Sequence, residues 1–244
     1  MKVRSLRTMV MATPFLIGMG LASNANASFV IDATVGGAAT GVTYANFDNL
    51  PLGSLGGVSN GITVSFVPDG QTVTGAVSGI YAAPFLSNSN GVPFGDSTVS
   101  GADTTKYLTT GLGQVSLLFP GMEKYLGLLW GSVDNYNHLE FFAGITSVGT
   151  VSGLDIFASA NGDRGINGTF YANIVSNLAF DRVVATSSQY AFEFDNVAYN
   201  ESDPEEVPEP MSLGLLGLGL LGVGVAASRR RKSASVGTEP ALFA

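Results

Sequence analysis

The sequence predicts an all-β body, an antiparallel β-sandwich of jelly-roll type, held between two targeting segments. Three observations carry this. Gly accounts for 32 of 244 residues and Cys for none, and Ser, Thr and Asn are abundant while helix formers are few, a composition suited to strands and turns. Short runs alternate apolar with small polar residues, the period of a strand with one buried face. Turn residues separate about ten such runs at close spacing, as in a sandwich rather than in helix-linked strands. Strand order does not follow from the pattern.

Taken in order, the chain opens with Lys2, Arg4 and Arg7, then an apolar run over residues 9–22. Ala25-Asn26-Ala27 has the small-x-small form of a signal-peptidase site, so residues 1–27 read as a signal peptide and Ser28 as the mature start. Signal peptidase and the secretion machinery are the partners this implies. Residues 28–200 form the body. Its first extended piece is 28–31, followed by a strand over 42–47 closed by Asp48-Asn49-Leu50-Pro51 and an alternating strand over 61–67. Pro68-Asp69-Gly70 is a turn, because Pro presets φ and Gly admits a positive φ. Over 82–105 the pattern fades into a long loop marked by Pro84, Gly91, Pro93 and Gly95; such a loop connects or binds. Strands resume at 107–109 and 114–119, with Pro120-Gly121 as a stop. Residues 125–142 read as strand, polar turn, strand, and 145–151 continues the meander. After a turn at Asn161-Gly162-Asp163, the last three strands are 169–175, 179–186 and 190–199. An acidic linker follows at 201–207.

Charge sharpens the picture. Between Ser28 and Val207 there are seventeen carboxylates against four cations (Lys106, Lys124, Arg164, Arg182), a net charge of −13, while the whole chain is −8. Nothing here neutralises phosphates, so nucleic acid is excluded as a partner. An acidic exported body is compatible with divalent cations and neutral glycans. Without Cys there is no thiol catalysis and no Cys-ligated metal. The single His138 leaves no multi-histidine site and has no nucleophile elbow beside it.

Three constellations are candidates for chemistry. On a strand Glu193 and Asp195 share one face and Phe192 and Phe194 the other, which places the carboxylates near the surface. A glycosidase needs two such groups about 5–10 Å apart, but in the β-sandwich pattern Glu-x-Asp-x-x-Glu the third position here is Ala198, so no catalytic residue is assigned. Asp48 and Asp195 repeat a Phe-Asp-Asn triplet, Phe47-Asp48-Asn49 and Phe194-Asp195-Asn196. If the end strands are neighbours, these two meet, and their hard oxygens suit a structural calcium; turn chemistry is the plainer reading. Trp130, Asp134, Asn135, Tyr136 and Asn137 combine an aromatic platform with hydrogen-bonding partners in one hairpin, a composition suited to a glycan. The alternative is that Trp130 is core and the rest a turn.

The carboxyl end carries a clearer message. Val207, Pro208, Glu209 and Pro210 precede an uncharged run over 211–227, then Arg229, Arg230, Arg231 and Lys232. As a helix the run spans roughly 25 Å at about 1.5 Å per residue, a little short of a bilayer core, and the cations hold its far end in the cytoplasm. Pro-Glu-Pro, apolar helix and basic cluster, in this order, resemble the PEP-CTERM sorting signal of Gram-negative bacteria. The resemblance implies that residues 208–232 are processed by exosortase, with 233–244 a cytoplasmic tail. It implies an inner-membrane intermediate and then the cell surface or an extracellular polysaccharide matrix. The Trp130-Gly131-Ser132-Val133-Asp134-x-Tyr136-Asn137 block and the 187–198 segment also resemble a recurring PEP-CTERM exported family, which implies export rather than a reaction. The expected function is a non-enzymatic surface or matrix protein, with a lectin-like module binding exopolysaccharide as the first alternative and a surface hydrolase as the second.

Overall fold

The structure is a computed structural model and describes residues 26–34 and 37–204. The strands β1 (Phe29–Thr34), β2 (Thr43–Ala45), β3 (Gly57–Ser59), β4 (Ile62–Val67) and β5 (Gly70–Val73) lead into a long covering segment. That segment carries β6 (Phe85–Leu86), a 3-10 turn (Val92–Phe94) and β7 (Gly101–Ala102). Next come β8 (Tyr107–Thr110), β9 (Gln114–Gly131), β10 (Asn137–Ala143) and β11 (Thr146–Ser152). A short helix, α1 (Gly153–Ile156), precedes β12 (Phe170–Ser187) and β13 (Phe192–Asn200). Every strand pairing is antiparallel, and the expected all-β sandwich is what forms.

The two long strands organise it. β9 and β12 pair at one end from Trp130↔Phe170 to Tyr125↔Val175, and at the other from Leu118↔Arg182 to Gln114↔Thr186. Between these stretches the register breaks and the ribbon bends. At the first end it is flanked by β1 on β12 and by β13 on β9, with β8, β5 and β2 beyond. At the second it is flanked by β10 and β11 on one side and by β4 and β3 on the other. One eleven-stranded sheet thus folds over on itself into two facing leaves. Pro120-Gly121, expected to stop a strand, lies inside β9 where it passes between leaves; no ladder partner faces it there, so its missing N–H costs nothing. The same bend joins the expected strands 169–175 and 179–186 into β12.

The core fills the space between the leaves. Leu126, Leu128 and Trp130 of β9, Ala172 and Ile174 of β12, and Phe192 and Phe194 of β13 pack in one cluster with Val115, Leu117, Leu139, Phe141, Val183 and Ala185 of the opposite leaf. Their spacing at i, i+2 is the strand period. Phe29 meets Phe141 across the gap at 4.8 Å, and Phe119 meets Tyr199 at 5.3 Å.

The expected loop over 82–105 is a cover. Leu86 and Phe94 pack on Tyr125, Leu129, Tyr171 and Ala198, which stand on the outer face of the first leaf. Phe94 approaches Tyr44 edge-on at 5.0 Å. Gly127 lets this face close: a Cβ there would lie 2.5 Å from the Tyr125 hydroxyl and 2.7 Å from that of Tyr171. The cover also corrects the placement of Glu193 and Asp195. They do share a face of β13 opposite Phe192 and Phe194, but that face is roofed, and they are 2 % and 0 % exposed. No helix among the described residues is long and apolar enough to cross a membrane. The expected signal segment through Ala25 and the expected apolar helix at 211–227 lie outside the described residues.

Candidate functional site

The ends of β9 and β13 meet the covering segment and a loop after α1 at a polar cavity of about 190 Å³. The turn after β9 delivers Ser132, Asp134 and Tyr136, and β13 delivers Glu193 with Tyr190 just before it. Residues 79–82 of the cover and Asn161, Gly162 and Arg164 of the later loop close the other sides. The volume is below the about 300 Å³ of ordinary ligand pockets.

Glu193 lies behind this cavity with both oxygens engaged. The Ala82 N–H donates to Oε1 at 2.8 Å and the Ser132 hydroxyl to Oε2 at 2.5 Å. Burial pushes its carboxyl up to about 7, with the Asp134 charge adding to the rise; the bonds from Ser132 and Ala82 and the Arg164 charge work the other way. The Tyr136 hydroxyl donates to Asp134 Oδ2 at 2.6 Å. Burial raises both partners, and the bond pulls Asp134 back down. Gly162, at φ 71, backs the Asp134 carboxylate so closely that a Cβ would sit 2.8 Å from Oδ2. At the rim Tyr190 is 46 % exposed and donates to Asp69 Oδ2 at 3.1 Å.

Of the residues expected to bind a glycan, Asp134 and Tyr136 line this cavity and the others do not. Trp130 is fully buried and stacked on Phe192 at 4.4 Å, so it is core and no platform. Asn137 is buried, its Nδ2 donating to the Ala191 carbonyl at 3.3 Å. Asn135 is exposed but stands outside the lining. Sequence reasoning missed Tyr81, Arg164, Tyr190 and Glu193 as pocket residues. The Asn161-Gly162-Asp163 turn was the available signal for the Arg164 loop, but nothing local connects that loop to Glu193.

The second constellation lies further along β13. Pairing of β2 with β13 brings Asp48 into the field of Asp195, while the first strand, β1, pairs with β12 instead. Asp48 is already engaged: Oδ1 accepts from the Lys106 N–H at 3.0 Å and Oδ2 from Asn46 Nδ2 at 3.0 Å. Asp195 instead faces Asp103, from the cover; burial and that neighbouring charge hold its carboxyl well above the usual range. No three acidic or histidine side chains among the described residues already meet at metal-ligand spacing.

The expected sorting residues, Val207, Pro208, Glu209, Pro210, Arg229, Arg230, Arg231 and Lys232, and the Ala25 end of the cleavage site lie outside the described residues. Ala27 and Ser28 are described, and the Ser28 N–H donates to Asn177 Oδ1 at 2.7 Å.

A family model for the PEP-CTERM protein-sorting motif matches residues 206–232, so the expected signal is present in the chain. A search of curated proteins finds no match. Among solved structures, two variants of CBM29-2, a family 29 carbohydrate binding module, are similar at 13 % identity and TM-score 0.31. One alignment covers 69 % of this chain and 96 % of that one, the other 76 % and 99 %. Likenesses this distant carry no information about a ligand.

Proposed function

We propose that this chain, which carries a PEP-CTERM protein-sorting motif, is a non-enzymatic exported protein handed by exosortase to the cell surface or the extracellular matrix. We further propose that its Glu193 cavity takes one residue of an exopolysaccharide. The observation that supports this is the lining itself. Tyr81, Tyr136 and Tyr190 stand around Asp134 and Arg164. Tyrosine rings suit the C–H faces of a sugar ring, while a carboxylate and a guanidinium suit its hydroxyls. Glu193, held by the Ala82 N–H and the Ser132 hydroxyl, braces the floor.

The test is binding of the full chain, in mild detergent, to exopolysaccharide isolated from its host. Saturable binding is expected, weakened at least about tenfold by Tyr190→Ala or Arg164→Ala, each removing contacts worth upward of 1.4 kcal/mol. Ile145→Ser, at a turn 96 % exposed and outside the cavity, should bind like the parent. Equal binding by all variants would remove the cavity from the proposal. Release of reducing sugar would replace binding with hydrolysis.

A further inference from the structure

Under the cover, on the outer face of the first leaf, lie carboxylates that the sugar cavity does not use. Asp195, Asp103 and Asp96 are 0 %, 2 % and 8 % exposed. Two of them are half satisfied in the same way. Asp103 Oδ1 accepts from the Thr105 N–H at 2.7 Å and the Thr105 hydroxyl at 2.6 Å, and Asp96 Oδ1 accepts from the Thr98 N–H at 2.7 Å. In each the other oxygen, Oδ2, reaches no donor, and neither oxygen of Asp195 does. The Asn196 backbone N–H lies alongside Asp195 without reaching full hydrogen-bond geometry. Four buried carboxylate oxygens are thus left without a donor, in a region where buried polar atoms are almost always paired. The cation beside them does not supply the deficit: Lys106 Nζ is spent on the Asp48 and Leu50 carbonyls at 2.6 and 2.7 Å.

We propose that Asp195 and Asp103 clasp one divalent cation of the hard, calcium-like class between β13 and the covering segment. Backbone carbonyls and water complete its shell, and Asp96 and Asp48 supply further negative charge beside it. The donor set is all oxygen, which selects against zinc and copper. An irregular site with one ligand on a loop suits calcium, which tolerates variable geometry, better than magnesium, which demands an octahedron. The proposal does not rest on the sugar cavity, but the two share the cover. Asp103 donates its N–H to the Pro84 carbonyl at 2.8 Å, close in the chain to Tyr81 and Ala82 of the cavity wall. A cation at Asp195 therefore ties down the segment that shapes that wall. The competing occupant is a proton shared between the two carboxyls.

The experiment uses the full chain in mild detergent, stripped with a chelator and returned to calcium or magnesium chloride. Equilibrium dialysis should find one calcium per chain. The thermal midpoint should rise by about 5–10 °C at a calcium concentration one hundred times Kd, with a smaller rise in magnesium. Asp195→Asn and Asp103→Asn should each abolish the rise. Asp195→Asn should be no less stable than the parent in chelator, because it removes a buried charge. Should either variant fail to fold, Asp96→Asn, with a smaller rise at the same calcium concentration, serves in its place. An unchanged midpoint and no bound calcium in the parent protein would overturn the proposal in favour of the shared proton. A calcium response that survives Asp195→Asn would overturn it by placing the ion elsewhere.

Discussion

Replacing Glu193 with Gln should flatten one slope in the stability of this protein with pH. The folded carboxyl holds its proton up to about 7, against 4.5 for an ordinary glutamate. Below 4.5 both folded and unfolded chains are protonated at this site, and it contributes no slope. As pH rises from 4.5 towards 7 the unfolded chain sheds the proton while the folded one retains it, so folding takes up a proton and stability falls. Above about 7 the penalty is complete and level. The interval from 4.5 to about 7, at about 1.4 kcal/mol per pH unit, comes to about 3 kcal/mol. At 2 % exposure solvent screening does little to reduce this. Gln keeps an oxygen for the Ala82 N–H and offers an amide N–H to the Ser132 hydroxyl, so the geometry survives without the titration. Urea unfolding of parent and variant, each at a series of pH values from 4 to 8 and at constant calcium, isolates the site, since all other groups cancel in the difference. The single Trp130, stacked on Phe192 beside Glu193, is the fluorescent reporter. The variant should gain about 3 kcal/mol on the parent across the window. Parallel curves would refute the reasoning, and a gain confined to pH below 4.5 would reverse its sign.

Other expectations follow from the same contacts. Trp130→Ala should cost about 3–5 kcal/mol in urea, as for other large-to-small core changes, and any loss of sugar binding should track the unfolded fraction rather than affinity. Gly127→Ala should destabilise strongly, because its methyl meets the Tyr125 and Tyr171 hydroxyls; a thermal midpoint equal to the parent's would show that this face is looser than described. Lys106→Met leaves the Asp48 and Leu50 carbonyls without their donor and should cost about 2 kcal/mol, read in the same urea titration. Neutral residues in place of Arg229, Arg230, Arg231 and Lys232 should mis-sort the protein in its host; unchanged fractionation would count against processing through the tail.

Legibility in the sequence followed the reach of the forces involved. β4 and β10 were readable because one face of each is buried, and alternation records that locally. The end of β13 was read with its faces correctly separated, yet its exposure was misjudged. Glu193 and Asp195 are roofed by residues about a hundred positions earlier in the chain, and no local pattern reports a cover that distant. The cover is rich in Gly, Pro, Ser and Asn, which advertise a loop; the packing of Leu86 and Phe94 on the first leaf is not announced by any regular period. Trp130 had two local readings, platform or core, and its stacking on Phe192, from another strand, decides for core. Asp134 and Tyr136 were found because they sit two residues apart on one turn. Arg164 and Tyr190 were missed because they reach the cavity only through the fold. The sorting motif over 206–232 was legible because it is written in linear order and not in tertiary contact.

The two ends of β13 lie in different surroundings. Glu193 opens the strand at the cavity, and Asn200 closes it beside Glu201, Ser202 and Asp203, which share a surface hollow with Ser28. At about 3.3 Å per residue the two ends stand roughly 20 Å apart, with the exit to the tail at one and the cavity at the other. If the cavity holds a ligand as proposed while the tail is held at the membrane or surface, the load between them runs along the axis of β13. Its ladder bonds to β9, β8 and β2 lie across that axis, so they share the load in shear and must yield together, where a hairpin pulled from one end would unzip a bond at a time. The strand that joins the cavity to the tail is thereby also the member best placed to bear tension between them.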